Sequence, residues 1–292
     1  QLSIVSALEE IDSEQFQTDT WDRDGGGGGI TKVLQGSVFE KAGVNTSNVS
    51  GIISESEAPM FQQLMKKAGA KFELDQNTSF HATGISLVIH PINPFIPTVH
   101  ANYRYFEMGN SEGQCWWFGG GADLTPYYLF EEDCKQFHQV HQDVCEMYQK
   151  GAYQQFKQDC DNYFYIKHRK ETRGIGGIFF DYLNDNYDSI FQFVSNASNR
   201  FTDSYCPIVN KRKDTSYTDI HRQWQSIRRG RYAEFNLVYD RGTLFGLKTN
   251  GRIESILMSM PPLAEWRYDY QPEEGSDEKK LQTILLNPRD WV

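Results

Sequence analysis

The sequence SLVIHP at residues 86–91 and the sequence PTVHANYRYF at residues 97–106 decide the fold. Both stretches are rich in branched and aromatic residues and are bounded by prolines, which predicts two β-strands. Because side chains alternate between the faces of a strand, each strand has a polar face and an apolar face. The polar faces carry Ser86, Val88, His90, His100, Asn102, Arg104 and Phe106, and the apolar faces carry Leu87, Ile89, Val99, Ala101, Tyr103 and Tyr105. A face this polar lines a ligand site or meets water, and we favour the ligand site.

Length, charge and hydropathy exclude several classes of protein. The 292 residues contain no Pro/Ser-rich linker and no internal repeat, so we expect one domain over residues 1–292. The net charge of −10 argues against nucleic acid as a partner, because phosphate binding needs a basic surface. The absence of an apolar run of 18 residues predicts no membrane span. Five cysteines without a CxxC pair predict reduced thiols in a cytosolic compartment.

The remaining patterns predict helices and strands in one mixed fold. We expect helices over residues 2–19, 58–74, 131–148, 153–167, 189–201 and 218–228, and further strands over residues 114–118, 175–183, 232–239 and 252–258. The five glycines at residues 25–29 match no regular element and predict a mobile loop or a lid over a ligand. Strands outnumber the helices that could connect parallel neighbours. The fold class is therefore α+β, with a large antiparallel sheet covered by helices on both sides.

The predicted helix 131–148 carries metal-binding residue types on one face. These are Cys134, His138, His141 and Cys145. Eleven residues at 1.5 Å each span about 16 Å, which is too long for the shell of one metal ion. A composite site from separate elements, with His90, His100, His138 and His168, stays open beside the alternative of hydrogen-bonded core histidines.

A third segment with a polar face is predicted at residues 232–240. As a strand it would place Glu234, Asn236 and Asp240 on one face. Arginines at 228, 229, 231 and 241 flank it, and guanidinium groups beside carboxylates suit the recognition of carboxylate ligands. The alternative is a cluster of surface salt bridges. Together the patterns predict a pocket with arginines for anions, carboxylates for N–H groups and histidines for proton transfer.

The chain resembles the oxygen-dependent coproporphyrinogen III oxidase family along nearly its whole length. The matching stretches are residues 25–29, 38–45, 86–91, 100–107, 116–126 (WWFGGGADLTP), 163–169 (YFYIKHR), 173–181, 229–247 and 254–259 (ESILMS). The resemblance implies a homodimer built on a large antiparallel sheet. It also implies a reaction late in haem synthesis, in which two propionates of coproporphyrinogen III lose CO2 and become vinyl groups. Molecular oxygen would be the co-substrate, with protoporphyrinogen IX and H2O2 as products.

The same resemblance suggests roles for individual residues. Given that substrate, our hypothesis is that Asp240 orients or deprotonates a pyrrole N–H, and the family pattern implies that His100 transfers protons. Asp123, which follows three glycines, is a second candidate carboxylate. Arg104 and Arg173 would bind propionates. Further substrate contacts are expected from Ser86, Asn102, Tyr103, Arg241, Asn250, Gly251 and Arg252.

The resemblance also bears on cofactors and location. The wider family is regarded as working without a metal or organic cofactor, whereas in bacterial relatives the histidines matching His90, His100, His138 and His168 have been proposed to bind a divalent metal. We expect no required cofactor and a cytoplasmic enzyme, with a mitochondrial location if an extension precedes residue 1. Two other readings are a non-haem iron or manganese oxygenase, and a porphyrin carrier that leaves the propionates intact.

Overall fold

A computed structural model describes residues 1–248 and 251–292 of the chain. Its strands are β1 (Gln17–Asp22), β2 (Gly27–Leu34), β3 (Phe39–Ile52), β4 (Ser79–Pro91), β5 (Thr98–Asn110), β6 (Gly113–Thr125), β7 (Tyr165–Ile166), β8 (Glu171–Thr172) and β9 (Gly176–Leu183). Its helices are α1 (Leu2–Glu9), α2 (Ala58–Ala68), α3 (Glu131–Tyr148), α4 (Ala152–Tyr163), α5 (Tyr187–Asn199), α6 (Phe201–Arg212), α7 (Asp219–Val238), α8 (Arg241–Lys248), α9 (Ile253–Leu257) and α10 (Asp277–Leu286).

Seven strands form one antiparallel sheet, in the order β1-β2-β3-β4-β5-β6-β9. The first six neighbours follow chain order, since each strand returns beside the previous one through a turn, a loop or, between β3 and β4, the helix α2. Strands β7 and β8 form a separate two-stranded ribbon beside it. The expected α+β class with an antiparallel sheet is confirmed.

The two faces of the central strands are the ones that the alternation predicts. In the register of β4 with β5, Ser86 lies opposite Asn102 and Val88 lies opposite His100, so their side chains share one face. The other face carries the apolar residues and forms the main core. Its central residues Leu87, Ile89, Val99 and Ala101 are buried against residues of α1, α3, α4, α5 and α6.

The polar face is covered at its two ends by different helices. At one end α2 places Phe61 against Phe80 and Phe106, with ring centroids 5.3 and 6.1 Å apart. At the other end the chain around α9 lies on β2 and β3, where the Ser255 and Thr31 hydroxyl oxygens are 2.7 Å apart. The stretch of sheet between these two covers carries the polar residues singled out in the sequence.

Two predicted strands are helices in the structure. Residues 232–238 belong to α7, which begins at a capping box between Thr218 and His221 and continues for 20 residues. Tyr232, Phe235 and Asn236 are buried at helical spacing, whereas Leu237 and Val238 are exposed. Residues 253–257 form the short helix α9. In both places the sequence was therefore interpreted with the two-residue period of a strand, although the residues form a helix.

Several other boundaries also differ from expectation. The glycine run is largely part of a hairpin, because Gly27–Gly29 pair with β1 and the turn bends at Gly26, whose φ is 114°. The N-terminal helix ends at Glu9, and residues 17–19, the last three of the stretch predicted as helix, belong to β1. Helix α2 ends at Ala68 because Gly69 takes a left-handed cap, and α4 ends at Tyr163.

All five cysteines are free thiols, which agrees with the expected reduced state. Among the described residues, none of the helices has the length and apolar character that crossing a lipid bilayer demands.

Candidate active site

A buried carboxylate lies at the centre of the polar face. Asp123 of β6 accepts a hydrogen bond from Nδ1 of His100 at 2.8 Å. It also accepts two from Nη2 of Arg173, at 3.0 Å to Oδ1 and 2.8 Å to Oδ2. Nη1 of the same guanidinium donates to Oδ1 of Asn236 at 2.6 Å. Burial acts to raise the pKa of Asp123, but attraction to Arg173 and the hydrogen bond from His100 hold it below its ordinary value.

Arg173 is enclosed rather than presented to a ligand. Its side chain is 2% exposed, and its guanidinium lies 4.2 Å from the ring centroid of Phe164 and 4.3 Å from that of Tyr232. The expected contact between Arg173 and a propionate is not what this geometry provides. The ion pair with Asp123 occupies the guanidinium, and the aromatic rings cover its faces. Arg173 instead holds Asp123 in place.

Asp240 lies at the start of α8 and caps it. Its Oδ2 accepts hydrogen bonds from the backbone N–H of Thr243 at 2.7 Å and from the Thr243 hydroxyl at 2.8 Å. Its Oδ1 accepts a bond from the Tyr163 hydroxyl at 2.9 Å. An aspartate before the first helical residue satisfies an N–H group that has no partner within the helix. Asp240 is therefore fixed by local structure at the edge of the polar face.

Two half-exposed arginines lie near Asp240. Arg104 on β5 donates from Nη1 to Oδ1 of Asn102 at 3.0 Å. Arg241 at the start of α8 lies over the Tyr163 ring, with its guanidinium 4.8 Å from the centroid. Both guanidinium groups pair with Asp181 of β9, at 2.9 and 3.4 Å. Unlike Arg173, these two cations are accessible to a ligand.

Tyr163 and Asp181 are site residues that the sequence reasoning left without a role. Both lie within stretches that matched the family pattern, which was the only signal available for them. Burial, then the charge of Asp240, raises the pKa of Tyr163, so its hydroxyl stays protonated and donates to that carboxylate. Tyr163 at the end of α4 thus contacts Asp240, and Asp181 of β9 pairs with Arg241 at the start of α8.

The other expected substrate contacts fall in three places. Ser86 and Asn102 lie side by side on the polar face. Tyr103 lies on the opposite face, 4% exposed and packed against Phe180, so it is wrongly placed among the substrate contacts. Its position follows from alternation, because Asn102 and Arg104 on either side point the other way.

The turn before α9 is only partly described. Arg252 pairs with Asp19 of β1, and the backbone N–H of Gly251 donates to the carbonyl of Gly246 at 2.8 Å. Asn250 lies outside the described residues. Arg252 is therefore tied to the sheet edge, at the end of the polar face covered by α9.

The four candidate metal-binding histidines are not brought together. Nε2 of His90 donates to the Ser259 carbonyl and its Nδ1 accepts from Thr98, at 2.9 and 3.0 Å. His138 lies in the core of the opposite face, where it contacts the Ile175 carbonyl and the Tyr153 hydroxyl. Burial lowers the pKa of His138 to about 3, which keeps the ring neutral.

His168 completes the correction to the composite site. Its two ring nitrogens contact Glu234 at 2.6 Å and the Tyr239 hydroxyl at 2.8 Å. In the part of the chain that the structure describes, no group of three His, Cys, Asp or Glu side chains is arranged to hold a metal ion. Since the ring nitrogens of His90, His138 and His168 already have partners inside the protein, these residues do not fit a shared metal site.

The arginines before residue 232 form internal ion pairs. Arg229 is fully buried and pairs with Glu40 at 2.6 Å, and Arg228 pairs with Glu171 at 2.8 Å. Glu234 does not share a face with Asp240, because it lies on α7, where it also accepts a bond from Trp266 at 2.9 Å. This part of the predicted arginine cluster stabilises the fold and is not placed to recognise a ligand.

The resulting arrangement can bind and deprotonate an anionic molecule. Arg104 and Arg241 offer fork-shaped donors to carboxylates. Asp240 offers oxygen atoms to N–H groups. The Nδ1–H of His100 donates a hydrogen bond to Asp123, which leaves the lone pair on Nε2 to accept a proton. A ligand with several carboxylates and several N–H groups fits this set.

Comparison with known proteins gives one consistent family. A family model described as coproporphyrinogen III oxidase matches residues 1–291. The chain is 50% identical over 298 residues to coproporphyrinogen-III oxidase 1, chloroplastic, of Arabidopsis thaliana, covering 99% of the chain and 76% of that protein. It is equally 50% identical to the chloroplastic oxygen-dependent coproporphyrinogen-III oxidases of Glycine max, over 301 residues, and Nicotiana tabacum, over 298 residues. These matches cover 99% of the chain and 76% and 74% of those proteins.

Proposed function

The chain belongs to the coproporphyrinogen III oxidase family, and on that premise we propose that it converts coproporphyrinogen III to protoporphyrinogen IX with molecular oxygen. In each of two steps a propionate, O2 and one proton give a vinyl group, CO2 and H2O2. The electron pair of the broken C–CO2 bond forms the vinyl double bond. The hydrogen and two electrons lost from the adjacent carbon reduce the oxygen.

The observation that carries this proposal is that one polar sheet face presents two accessible arginines, Arg104 and Arg241, together with Asp240, a carboxylate that caps α8. Arg104 and Arg241 bind propionates, which allows an acidic protein to hold an acidic substrate. Asp240 accepts a pyrrole N–H and draws its proton away. The pyrrole then becomes electron-rich enough to reduce oxygen itself, so no organic cofactor is required for the oxidation.

His100 and Asp123 form the second acid–base pair in this mechanism. Because the Nδ1–H of His100 donates a hydrogen bond to Asp123, Nε2 is the nitrogen with a free lone pair, and it can accept the proton lost from the substrate carbon. Arg173 is a positioning residue, since it touches Asp123 and Asn236 rather than the substrate. Ser86 and Asn102 line the floor of the site beneath the macrocycle.

The experiment that tests the proposal is turnover of coproporphyrinogen III by the wild type and by two variants of Asp240. Asp240→Asn removes the charge but keeps an amide oxygen that caps α8, whereas Asp240→Ala removes both. We expect both variants to lose at least about 100-fold in turnover. Only Asp240→Ala should also lose about 1 kcal/mol of stability. The exposed Asp185→Asn is the matched control and should turn over normally.

Each outcome of that test has a clear meaning. Near-normal turnover by Asp240→Asn removes the Asp240 charge from the mechanism. Absence of turnover by the wild type, combined with retained binding of the macrocycle, favours the porphyrin carrier. Loss of turnover in Asp240→Asn without loss of stability supports a chemical role beyond capping.

The proposal includes one catalytic domain over residues 1–292 and a homodimer. What supports the domain is the single seven-stranded sheet, together with the family match over residues 1–291. What supports the dimer is a groove of about 820 Å³ on the sheet face opposite the site, where Ile30, Tyr105 and Phe191 are incompletely covered. Sedimentation velocity should give twice the chain mass of 33.8 kDa, and Phe191→Asp should shift it towards the monomer.

The location inferred from the relatives differs from the cytoplasmic one expected from the sequence. The names of the plant relatives assign those proteins to chloroplasts. We therefore infer an organellar location for this enzyme. Imaging of the tagged full-length protein tests this, and a diffuse cytosolic signal would restore the original expectation.

A further inference from the structure

The geometry points to Asp181 as a positioning residue that holds Arg104 and Arg241 together as a pair for one substrate carboxylate. This inference rests on the proposed function, and it deepens the description of the same site. It concerns how two arginines from distant parts of the chain, one on β5 and one at the start of α8, come to act on one ligand group.

The carboxylate of Asp181 bridges the two guanidinium groups. Its Oδ1 lies 2.9 Å from Nη2 of Arg104, and its Oδ2 lies 3.4 Å from Nη2 of Arg241. Two cations that share one carboxylate would repel each other if that anion were absent. Asp181 supplies that anion from the protein, so the two cations stay close before any substrate arrives.

The bridge leaves donors available to a ligand. A guanidinium has five N–H donors, of which Arg104 donates one to Asn102 while the group forms an ion pair with Asp181. The arginine side chains are 37% and 46% exposed, whereas that of Asp181 is 12% exposed. The cations therefore face the open side of the site, and the carboxylate that links them lies beneath.

The backbone of β9 is distorted at the position that aims Asp181. The pairing of β6 with β9 shifts its register between Phe118 and Gly120, which marks a bulge in which residues 181 and 182 of β9 lie opposite Gly119 alone. Tyr182 has a φ of 57°, a left-handed conformation that is unfavourable for a bulky aromatic residue. Bulges of this kind redirect a side chain beside an active site. Alternation along β9 places Asp181 on the polar face, and the distortion at Tyr182 lies directly beside its ion pair with the arginines.

Gly119 on the neighbouring strand β6 leaves room for the same ion pair. A Cβ atom added at Gly119 would lie 2.6 Å from Oδ1 of Asp181 and 2.7 Å from Nη2 of Arg104. Any other residue at this position would therefore push the pair apart. The bulge on β9 and the glycine on β6 are independent features of the chain, and both favour the same contact.

A positioning role predicts a defined kinetic signature. Without the Asp181 charge the two guanidinium groups repel and adopt many orientations, which weakens substrate binding. The chemistry at the pyrrole and at the reacting carbon is carried by other groups, so the chemical step changes little. The Michaelis constant should therefore rise more than the turnover number falls.

The test uses Asp181→Asn, which keeps the size of the side chain and removes its charge. We measure kcat and KM with coproporphyrinogen III, and the Kd of coproporphyrin, the unreactive aromatic macrocycle with the same four propionates, by fluorescence. KM and Kd should rise about tenfold with kcat within about threefold, as expected for the loss of one charge-assisted contact. Added formate should lower KM again in the variant but not in the wild type.

Two further variants keep the inference testable if Asp181→Asn folds poorly. Gly119→Ala leaves every charge in place and should raise KM in the same direction, because its methyl group separates the pair. Asp181→Glu keeps the charge and should restore part of the affinity. The exposed Asp185→Asn, four residues along the chain, is the matched control and should leave both constants unchanged.

Opposite results would overturn the inference. An unchanged KM in Asp181→Asn and Gly119→Ala means that the bridge does not position the arginines. A lower KM, with formate acting as an inhibitor, means that Asp181 competes with the substrate. A fall in kcat alone means that Asp181 acts on the reacting atoms. Failure of the proposed function can be distinguished from failure of this inference. In that case the wild type would not turn over coproporphyrinogen III, but it would still bind coproporphyrin, and Asp181→Asn would still weaken that binding.

Discussion

His100 and Asp123 lie opposite each other on neighbouring strands β5 and β6, with Nδ1 of the imidazole 2.8 Å from Oδ1 of the carboxylate. The second neighbour of Asp123 is Arg173, which keeps the carboxylate charged inside the protein. A charged acceptor fixes the Nδ1–H tautomer of neutral His100. The sheet register thus decides which imidazole nitrogen is available for proton transfer.

Replacing Asp123 should destabilise the protein severely. In Asp123→Asn the guanidinium of Arg173 stays buried between two aromatic rings without its ion partner. Breaking a buried pair by removing one partner costs about 3–5 kcal/mol. Urea unfolding at pH 7 measures this loss, with the exposed Asp185→Asn as the matched control. A loss below about 1 kcal/mol would mean that Arg173 finds another partner or reaches water.

The sequence predicts the central sheet well because its period is unambiguous. Residues 86–90 and 100–106 alternate between polar and apolar types, and a strand with two different environments requires that alternation. The helix 131–148 was also correctly predicted, with its buried Cys and His face. In both cases the local pattern and the tertiary environment agree.

Prediction fails where one set of residues fits two periods. Tyr232, Asn236 and Asp240 are spaced by four, which matches both alternate positions of a strand and successive turns of a helix. Length and capping decide in favour of the helix, since α7 starts at Thr218 and its buried residues extend to Asn236. Exposed Leu237 and Val238 mark where the strand interpretation is wrong.

The sequence predicted only those site residues that lie in recognisable local motifs. Asp240 and Arg104 were named from family-like stretches, and Asp123 from its place after three glycines. The Tyr163–Asp240 contact joins residues 77 apart, and Asp181 meets Arg104 only through the pairing of β5, β6 and β9. No sequence spacing encodes such contacts. Arg173 was misassigned for the same reason, since its burial depends on the ring of Phe164, which follows α4, and on that of Tyr232 in α7.

Gly43 and Met258 should behave as a coupled pair. A Cβ at Gly43 would lie 1.4 Å from Sδ of Met258, so Gly43→Ala must displace the chain around α9 from the sheet. Overpacking of this kind costs about 1–3 kcal/mol. Met258→Ala alone leaves a cavity, but in the double variant it makes room for the new methyl group. The double variant should lose less unfolding free energy than the two single variants lose in sum, by at least about 1 kcal/mol.

Met65→Ala is the control for that coupling. Met65 on α2 is as buried as Met258 but belongs to the cluster around Phe61. Combined with Gly43→Ala, its effect should add to within about 0.5 kcal/mol. If the effect of Gly43→Ala added to that of Met258→Ala as fully as to that of Met65→Ala, the Met258 side chain would not be packed tightly against Gly43.

Acid should selectively remove the contribution of Glu234. Burial acts to raise the pKa of Glu234, but hydrogen bonds from Arg169, His168 and Trp266 lower it to about 2. The unfolded value is about 4.3, so the carboxylate stabilises the fold above that pH and loses the contribution as the pH falls towards 2. Melting temperatures of the wild type and Glu234→Gln should differ at pH 6 and converge between about pH 4.3 and 2.

The exposed Glu112→Gln serves as the control for this pH profile, because its side chain lies at the tip of the β5–β6 hairpin. It should follow the wild-type curve throughout. A gap between wild type and Glu234→Gln that stays constant down to pH 2 would contradict the prediction. The stabilisation would then come from packing of the side chain and not from its charge.

Oxygen-dependent turnover should survive removal of divalent metal. Both ring nitrogens of His90 and of His138 form hydrogen bonds inside the protein. Those of His168 contact Glu234 and Tyr239. Binding of one metal ion by these histidines would therefore break hydrogen bonds at all three of them. The measurement is product fluorescence after oxidation, with and without oxygen and with and without EDTA pretreatment. Turnover that EDTA abolishes and one added metal restores would contradict the prediction, because the histidines would then have to rearrange into a site during catalysis. Turnover that persists after EDTA assigns the oxidative chemistry to the substrate pyrrole, and leaves His100 with the proton transfer for which its tautomer is fixed.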